Sequence, residues 1–306
     1  MSFFLNLFKS LKSEEKKKEI NYDYGKTNEE DYFQQKIPRI KEHLDKNTGK
    51  FCDINFPNNM ESLIHFDNPN EDAPKLSEKG MAKKKQLFDE KKKEYQNLIE
   101  KGELKWKRIS DIVNEKEEKK NVDIEVKQNN IGDCYLISFL RGMKKFQPKK
   151  YLKLIEVYHY NIGYCEVNFF TKKGGNIRVF VDDYIPYYKD TIPLFAGLKK
   201  GKKQTVGRYL LVEKAFAKLN GSYINIYGRF HYYENKYSTL CLTGIIPEVY
   251  NLEKYRNDDS SIYSILKSNI AVKNVSTSGT HNNISISGIV GNHVYTINNI
   301  EEKKKI

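Results

Sequence analysis

The chain has 306 residues, 39% hydrophobic and 30% charged, with 53 Lys and Arg against 40 Asp and Glu for a net charge of +13. Together with 22 Tyr and 16 Phe that is ample for a core, and the length suits one two-lobed domain or two small ones. The basic surplus does not describe a nucleic-acid binder: the lysines fall in short runs flanked by acids (Lys83-Lys84-Lys85, Lys91-Lys92-Lys93, Lys119-Lys120) rather than interleaving with aromatics, and read as solvated faces.

Cys52, Cys134, Cys165 and Cys241 are widely and irregularly spaced, which gives neither a metal-site pattern nor a disulfide framework. A working thiol among them fits a reducing, cytoplasmic compartment. No apolar run approaches 18 residues, so a membrane-spanning helix is not expected. Met1 to Leu7 is apolar but short, without a basic start or small-residue cleavage site, and is a poor signal peptide.

In chain order, residues 1–50 form a polar, lysine-rich extension in which Phe4, Leu7, Phe8 and Leu11 recur at helical spacing. Two readings stand: a small helix docked on the domain, which is favoured, or a basic amphipathic helix in weak contact with a membrane surface. Residues 51–110 read as a lead-in, with a long charged helix near Lys75 to Leu104 and then the only tryptophan, Trp106, as a packing anchor. Tyr164 to Phe170 and Ile177 to Val181 alternate around Gly174-Gly175, predicting a β-hairpin. Tyr209 to Asn220 carries an apolar helical stripe closed by Gly221. A helix near Ser261 to Lys267 follows, then strands at Ile270 to Val275, Ile284 to Val290 and His293 to Ile297. No internal repeat is evident.

The chemistry concentrates at Gln128-Asn129-Asn130-Ile131-Gly132-Asp133-Cys134-Tyr135, a polar loop that ends where the apolar helical run Leu136-Ile137-Ser138-Phe139-Leu140 begins. A thiol at a helix N-terminus meets unpaired backbone N–H groups and the positive end of the macrodipole, which favour the nucleophilic thiolate. The Gln128 amide and the Cys134 backbone N–H could together stabilise an oxyanion. A lone cysteine of this kind is more often a buried start to a core helix. Among six histidines, His293 stands between alternating apolar positions 159 residues after Cys134, the order cysteine-then-histidine of papain-like proteases.

Three ordered motifs resemble the calpain catalytic core: Gln128 to Tyr135, Leu211-Val212-Glu213-Lys214-Ala215-Phe216-Ala217-Lys218-Leu219-Asn220-Gly221-Ser222-Tyr223, and Gly288-Ile289-Val290-Gly291-Asn292-His293-Val294-Tyr295. Trp106-Lys107-Arg108-Ile109 resembles the family's entry into the core, and the likeness runs from about residue 50 to the end. It implies an α+β, papain-like two-lobed fold, with a helical first lobe over 111–248 and an incomplete β-rich second lobe over 249–306. It also implies a calcium-dependent intracellular endopeptidase acting on protein substrates, with Cys134 as nucleophile, His293 as base and Gln128 as oxyanion donor. Such enzymes read extended backbone more than a single side chain.

The same resemblance implies a calcium ion held by Glu125, where the family has aspartate, and by Glu213, with the turn at 122–126 adding oxygens. Otherwise Glu125 is a surface charge and Glu213 pairs with a lysine on its own helix. Tyr135 stands in place of the family's tryptophan and Asn292 in place of a glycine. The family's triad asparagine has no counterpart in the 13 residues after His293, since Asn298 and Asn299 lie too close. That gap keeps a second reading open, a catalytically inactive calpain-fold binding or scaffold protein.

Overall fold

The structure, a computed structural model, describes residues 4–7, 43–116, 125–200, 203–207, 209–228, 234–255, 258–280, 289, 291 and 293–301. The first element is a strand, β1 (Phe4–Leu7), where the spacing of Phe4 and Leu7 predicts a helix. It lies antiparallel between two later strands, so its backbone is hydrogen-bonded on both sides, which overrides a short apolar spacing. Phe8 and Leu11 lie outside the described residues.

The short helix α1 (Met60–Leu63) is capped by Asn59, whose side chain accepts the Glu61 N–H. The long charged helix is α2 (Glu78–Glu100), started by Ser77 accepting the Gly80 N–H. Lys83, Lys85, Lys92 and Lys93 are exposed as the solvated-face reading requires, but Lys84 is buried and donates to the Phe66 carbonyl. Then come β2 (Leu104–Arg108), α3 (Ile109–Ile112) and β3 (Glu125–Lys127). Trp106 packs against the core, with the Lys214 ammonium 5.5 Å from its ring centroid.

Next are α4 (Cys134–Phe146) and α5 (Pro148–Leu152), then β4 (Ile155–His159), β5 (Tyr164–Phe170), β6 (Asn176–Asp182), β7 (Tyr184–Tyr188), β8 (Ile192–Pro193), β9 (Gly197–Lys200) and β10 (Lys203–Thr205). The predicted hairpin is present: β5 and β6 pair from Tyr164↔Asp182 to Phe170↔Asn176, and Gly174 takes φ +80° in the turn. The alanine-rich stripe is α6 (Leu210–Leu219), buried from Leu210 to Ala217. The chain continues with α7 (Glu234–Thr243), β11 (Glu248–Asn251), α8 (Asp259–Ala271), β12 (Ser276–Gly279) and β13 (Val294–Thr296).

The class is therefore α+β, but strands and helices are not divided as expected. Residues 111–248 hold β3 to β10 beside their helices, because the alternating stretches after α5 pair into small antiparallel sheets, β4-β5-β6 among them. Residues 249–306 hold the 13-residue α8. Ile270 and Ala271 close that helix, so the strand expected at Ile270 to Val275 begins only at Ser276. Of the strand expected at Ile284 to Val290, only residue 289 is described.

One large apolar cluster joins α4, α6, β5, β6 and the lead-in segment. A smaller one gathers Leu266 with Tyr250, Leu252, Ile262, Ile265, Ile297 and Ile300. Between them stands the sheet β11-β1-β12-β13, against which α4 packs.

Candidate functional site

Helix α4 begins at Cys134, as the loop-to-apolar transition predicts, with Asp133 as its N-cap residue. The Leu136 and Ile137 N–H groups donate to the Asp133 carbonyl at 2.8 and 3.1 Å. Tyr135, Leu136, Ile137, Phe139, Leu140 and Met143 are buried, which fixes the roll of the helix, and Cys134 is left half-buried and outside any disulfide.

The preceding loop is held at several points. Asn129 Nδ2 donates to the Pro193 carbonyl at 2.9 Å, the Gly228 N–H donates to the Gly132 carbonyl at 2.8 Å, and Tyr135 Oη donates to the Ile226 carbonyl at 2.9 Å. A Cβ on Gly228 would lie 2.7 Å from both the Gly132 carbonyl oxygen and the Tyr135 ring, so only glycine permits this approach. Gln128 Nε2 donates to the Ile131 carbonyl at 2.5 Å, folding the amide over its own loop beside the helix start.

The other thiols differ. Cys165 and Cys241 are buried, and burial pushes Cys241 up to about 12. Cys52 is also raised, by burial first, against the opposing pull of Arg108. Among the four, the helix N-terminus belongs to Cys134 alone.

His293 immediately precedes β13. Its backbone is clamped by Thr280: the His293 N–H donates to Thr280 Oγ1 at 3.1 Å, and the Thr280 N–H donates to the His293 carbonyl at 2.9 Å. Its ring meets Tyr295 edge to face, centroids 4.8 Å apart. Burial, and secondarily the Arg141 guanidinium, lower the imidazole below its ordinary range.

Strand β13, which follows His293, packs against α4, which begins at Cys134. Thr296 Oγ1 donates to the Ser138 carbonyl at 2.6 Å, and Lys145 Nζ to the Asn298 carbonyl at 3.0 Å, so strand and helix run the same way. A Cβ on Gly142 would also touch Thr296, which places that residue between Ser138 and Gly142. His293 lies three residues before Thr296, about 10 Å along a strand, which corresponds to about seven residues of helix.

The two glutamates expected to hold calcium fare differently. Glu125 pairs with Lys199 in the β3–β9 ladder; its side chain and residues 122–124 lie outside the described residues. Glu213 points inward from α6, 3% exposed, and both carboxylate oxygens face the Ala196 N–H at 3.1 Å. It pairs with no lysine of its helix, since Lys214 binds Asp182 and Lys218 binds Asp53 at 2.6 Å. Its near neighbour is the Asp133 carboxyl, and burial raises both groups. That N–H anchors the Glu213 carboxylate to the turn before β9. Among the described residues no cluster of three or more His, Cys, Asp or Glu could hold a metal.

Sequence reasoning missed Thr280, Arg141 and Asp133. Asp133 sits inside the quoted motif, and its position next to the thiol was a usable signal. Thr280 and Arg141 carry none, because they reach His293 only through strand pairing and helix packing.

An α+β chain that starts a helix with a thiol, and packs that helix against the strand following a histidine, has the parts of a thiol hydrolase. A family model described as "Calpain family cysteine protease" matches residues 51–305, and the chain belongs to that family. It is 27% identical over 190 residues to the calpain-type cysteine protease DEK1 of Zea mays, a match covering 58% of this chain and 8% of the maize protein. It is 25% identical over 191 residues to Calpain-8 of Rattus norvegicus, covering 58% of this chain and 25% of the rat protein. The chain thus spans a quarter or less of the length of these relatives.

Proposed function

We propose that the chain is a calpain-type cysteine endopeptidase that cleaves protein substrates, working in a reducing compartment such as the cytoplasm. Cys134 transfers its proton to His293 and attacks the peptide carbonyl carbon as thiolate. The resulting oxyanion is met by the Cys134 backbone N–H and the Gln128 amide. His293 then protonates the leaving amine, and the acyl-thioester is hydrolysed by a water that His293 deprotonates. The substrate lies in a papain-like cleft between the large core and the β11-β1-β12-β13 sheet. None of these steps is routed through calcium.

The observation that supports the reading is the packing of β13, which follows His293, against α4, which begins at Cys134. The test is a thiol-directed epoxide probe with peptide mass spectrometry. Cys134 is the expected labelled residue, and His293→Ala lowers the rate by about a hundredfold or more, the usual worth of a general base. Equal labelling of Cys52, Cys165 and Cys241 overturns it.

A further inference from the structure

Helix α5 follows the C-terminal end of α4, the end opposite Cys134, and with the end of α7 it flanks an open groove of about 670 Å³. None of the residues in the proposed chemistry lines it. The floor is apolar, made by Leu154, Ile155, Phe170 and Leu242. On one side stands Leu152, 48% exposed, between Lys150 and Lys153. On the other, Gly244 turns at φ +72°, and a Cβ there would lie 2.8 Å from the Phe170 ring. That close approach ties the turn to the floor and leaves the next residues, Ile245 and Ile246, 37% and 70% exposed beside it. Large aliphatic side chains held in water on both sides of an apolar groove mark a contact surface.

The charge around the groove is positive. Lys149, Lys150 and Lys153 are exposed, and the one acid in the lining, Glu156, is already engaged by Arg178 through Oε1 at 2.9 Å. The other Glu156 oxygen, Oε2, and Asn168 Oδ1 are buried without a donor. Glu156 falls where the register of β4 against β5 shifts, and β4 is the edge strand of its sheet, the kind of strand beside which a second extended chain can lie. The occupant that fits brings aliphatic side chains for the floor, acidic groups for the lysines and N–H donors for the two oxygens. An extended peptide of alternating acidic and aliphatic residues has all three, whereas the phosphate and ester oxygens of a lipid surface only accept hydrogen bonds. The concave shape, within the range of about 300–1,000 Å³ of ligand clefts, also suits a peptide better than a flat bilayer. We propose that this groove docks an extended acidic–aliphatic segment of a partner protein, its aliphatic side chains seated between Leu152 and Ile246 and its carboxylates meeting Lys150 and Lys153. The docking does not depend on the peptidase reading.

The test is fluorescence anisotropy of the full chain with a fluorescein-labelled peptide, Glu-Glu-Leu-Glu-Leu-Glu-Glu, whose mass is checked afterwards for cleavage. Saturable binding is expected, weakening as salt rises. Lys150→Glu combined with Lys153→Glu should raise Kd about tenfold or more, and Leu152→Ser combined with Ile246→Ser about tenfold. All four side chains are exposed, so the variants should melt close to the unaltered chain. A peptide with Lys for each Glu, or with Ser for each Leu, should bind at least about tenfold more weakly. Absence of saturable binding, or an equal Kd in the charge-reversed variant, overturns the proposal. Sedimentation with phosphatidylserine vesicles without binding of the peptide overturns it in favour of a lipid surface. Binding is read on the intact peptide, so a chain without peptidase activity leaves this test intact.

Discussion

In the proposed role as base, His293 is tuned by burial and by the Arg141 charge. Burial lowers its proton affinity first and the Arg141 charge second, so the imidazole stays neutral to lower pH than a free histidine. Activity should therefore hold below the ordinary histidine value and fall only as pH drops through the lowered one. Arg141→Met should move that acid limb upward in a kcat/KM profile, and an unmoved limb rejects the role of Arg141. Thr280 acts on the same residue through its backbone. Thr280→Val leaves the His293 N–H without its side-chain acceptor, a loss worth about 1–3 kcal/mol when buried. We expect kcat to fall about tenfold with KM little changed and Thr280→Ser to restore it. A matching rise in KM would point to general disorder instead. Cys134 and His293 stand out as candidates in the sequence because each sits in a contiguous motif. Their supports were not, since Thr280 meets His293 only after the chain has run out and returned.

At the scale of elements, everything depends on how closely α4 approaches the last two strands. Gly142 makes that approach: a Cβ there would lie 2.3 Å from Val275 Cγ1 and 3.3 Å from Thr296 Cγ2. Gly142→Ala must push β13 outward or unseat Val275, which is buried, and overpacking of this kind costs about 1–3 kcal/mol. Because the strand carries His293, the variant should lose activity out of proportion to its stability. Urea midpoints measured beside kcat/KM give the comparison, and a stability loss with unchanged kcat/KM would show that the register tolerates displacement. The α2, α4, α6 and β5–β6 elements were readable in advance, since each has its own local pattern of caps, periodicity or alternation. The N-terminal strand was not: Phe4 and Leu7 suit either a helix or a strand, and the decision comes from β11 and β12, more than 240 residues away.

Across the whole molecule, buried ion pairs bind the lead-in segment to the core that carries Cys134. Arg108 sits at their centre. Its Nη1 donates to Asp183 Oδ1 at 2.6 Å, and its Nη2 donates to the Phe51 carbonyl at 2.8 Å. Asp183 in turn accepts the Ser110 N–H at 3.2 Å, while its backbone N–H donates to the Gly163 carbonyl at 3.0 Å. Residues 51, 108–110, 163 and 183 thus meet at one guanidinium–carboxylate pair with side chains 3% and 0% exposed. Composition could not announce this, because a surplus of 13 positive charges reads as surface until partners are placed inside. Removing one member of such a pair strands the other charge, at about 3–5 kcal/mol, whereas replacing both with apolar residues of similar size is often close to neutral. Against a typical total of about 5–15 kcal/mol, Asp183→Asn should remove a large share of the stability. Arg108→Met combined with Asp183→Leu should recover part of it, limited by the Phe51 carbonyl and Ser110 N–H left unpartnered. Equilibrium urea unfolding of the three variants decides the matter. Equal losses in the single and double variants would mean that the hydrogen bonds to Phe51 and Ser110, rather than the charge pair, hold the lead-in segment in place.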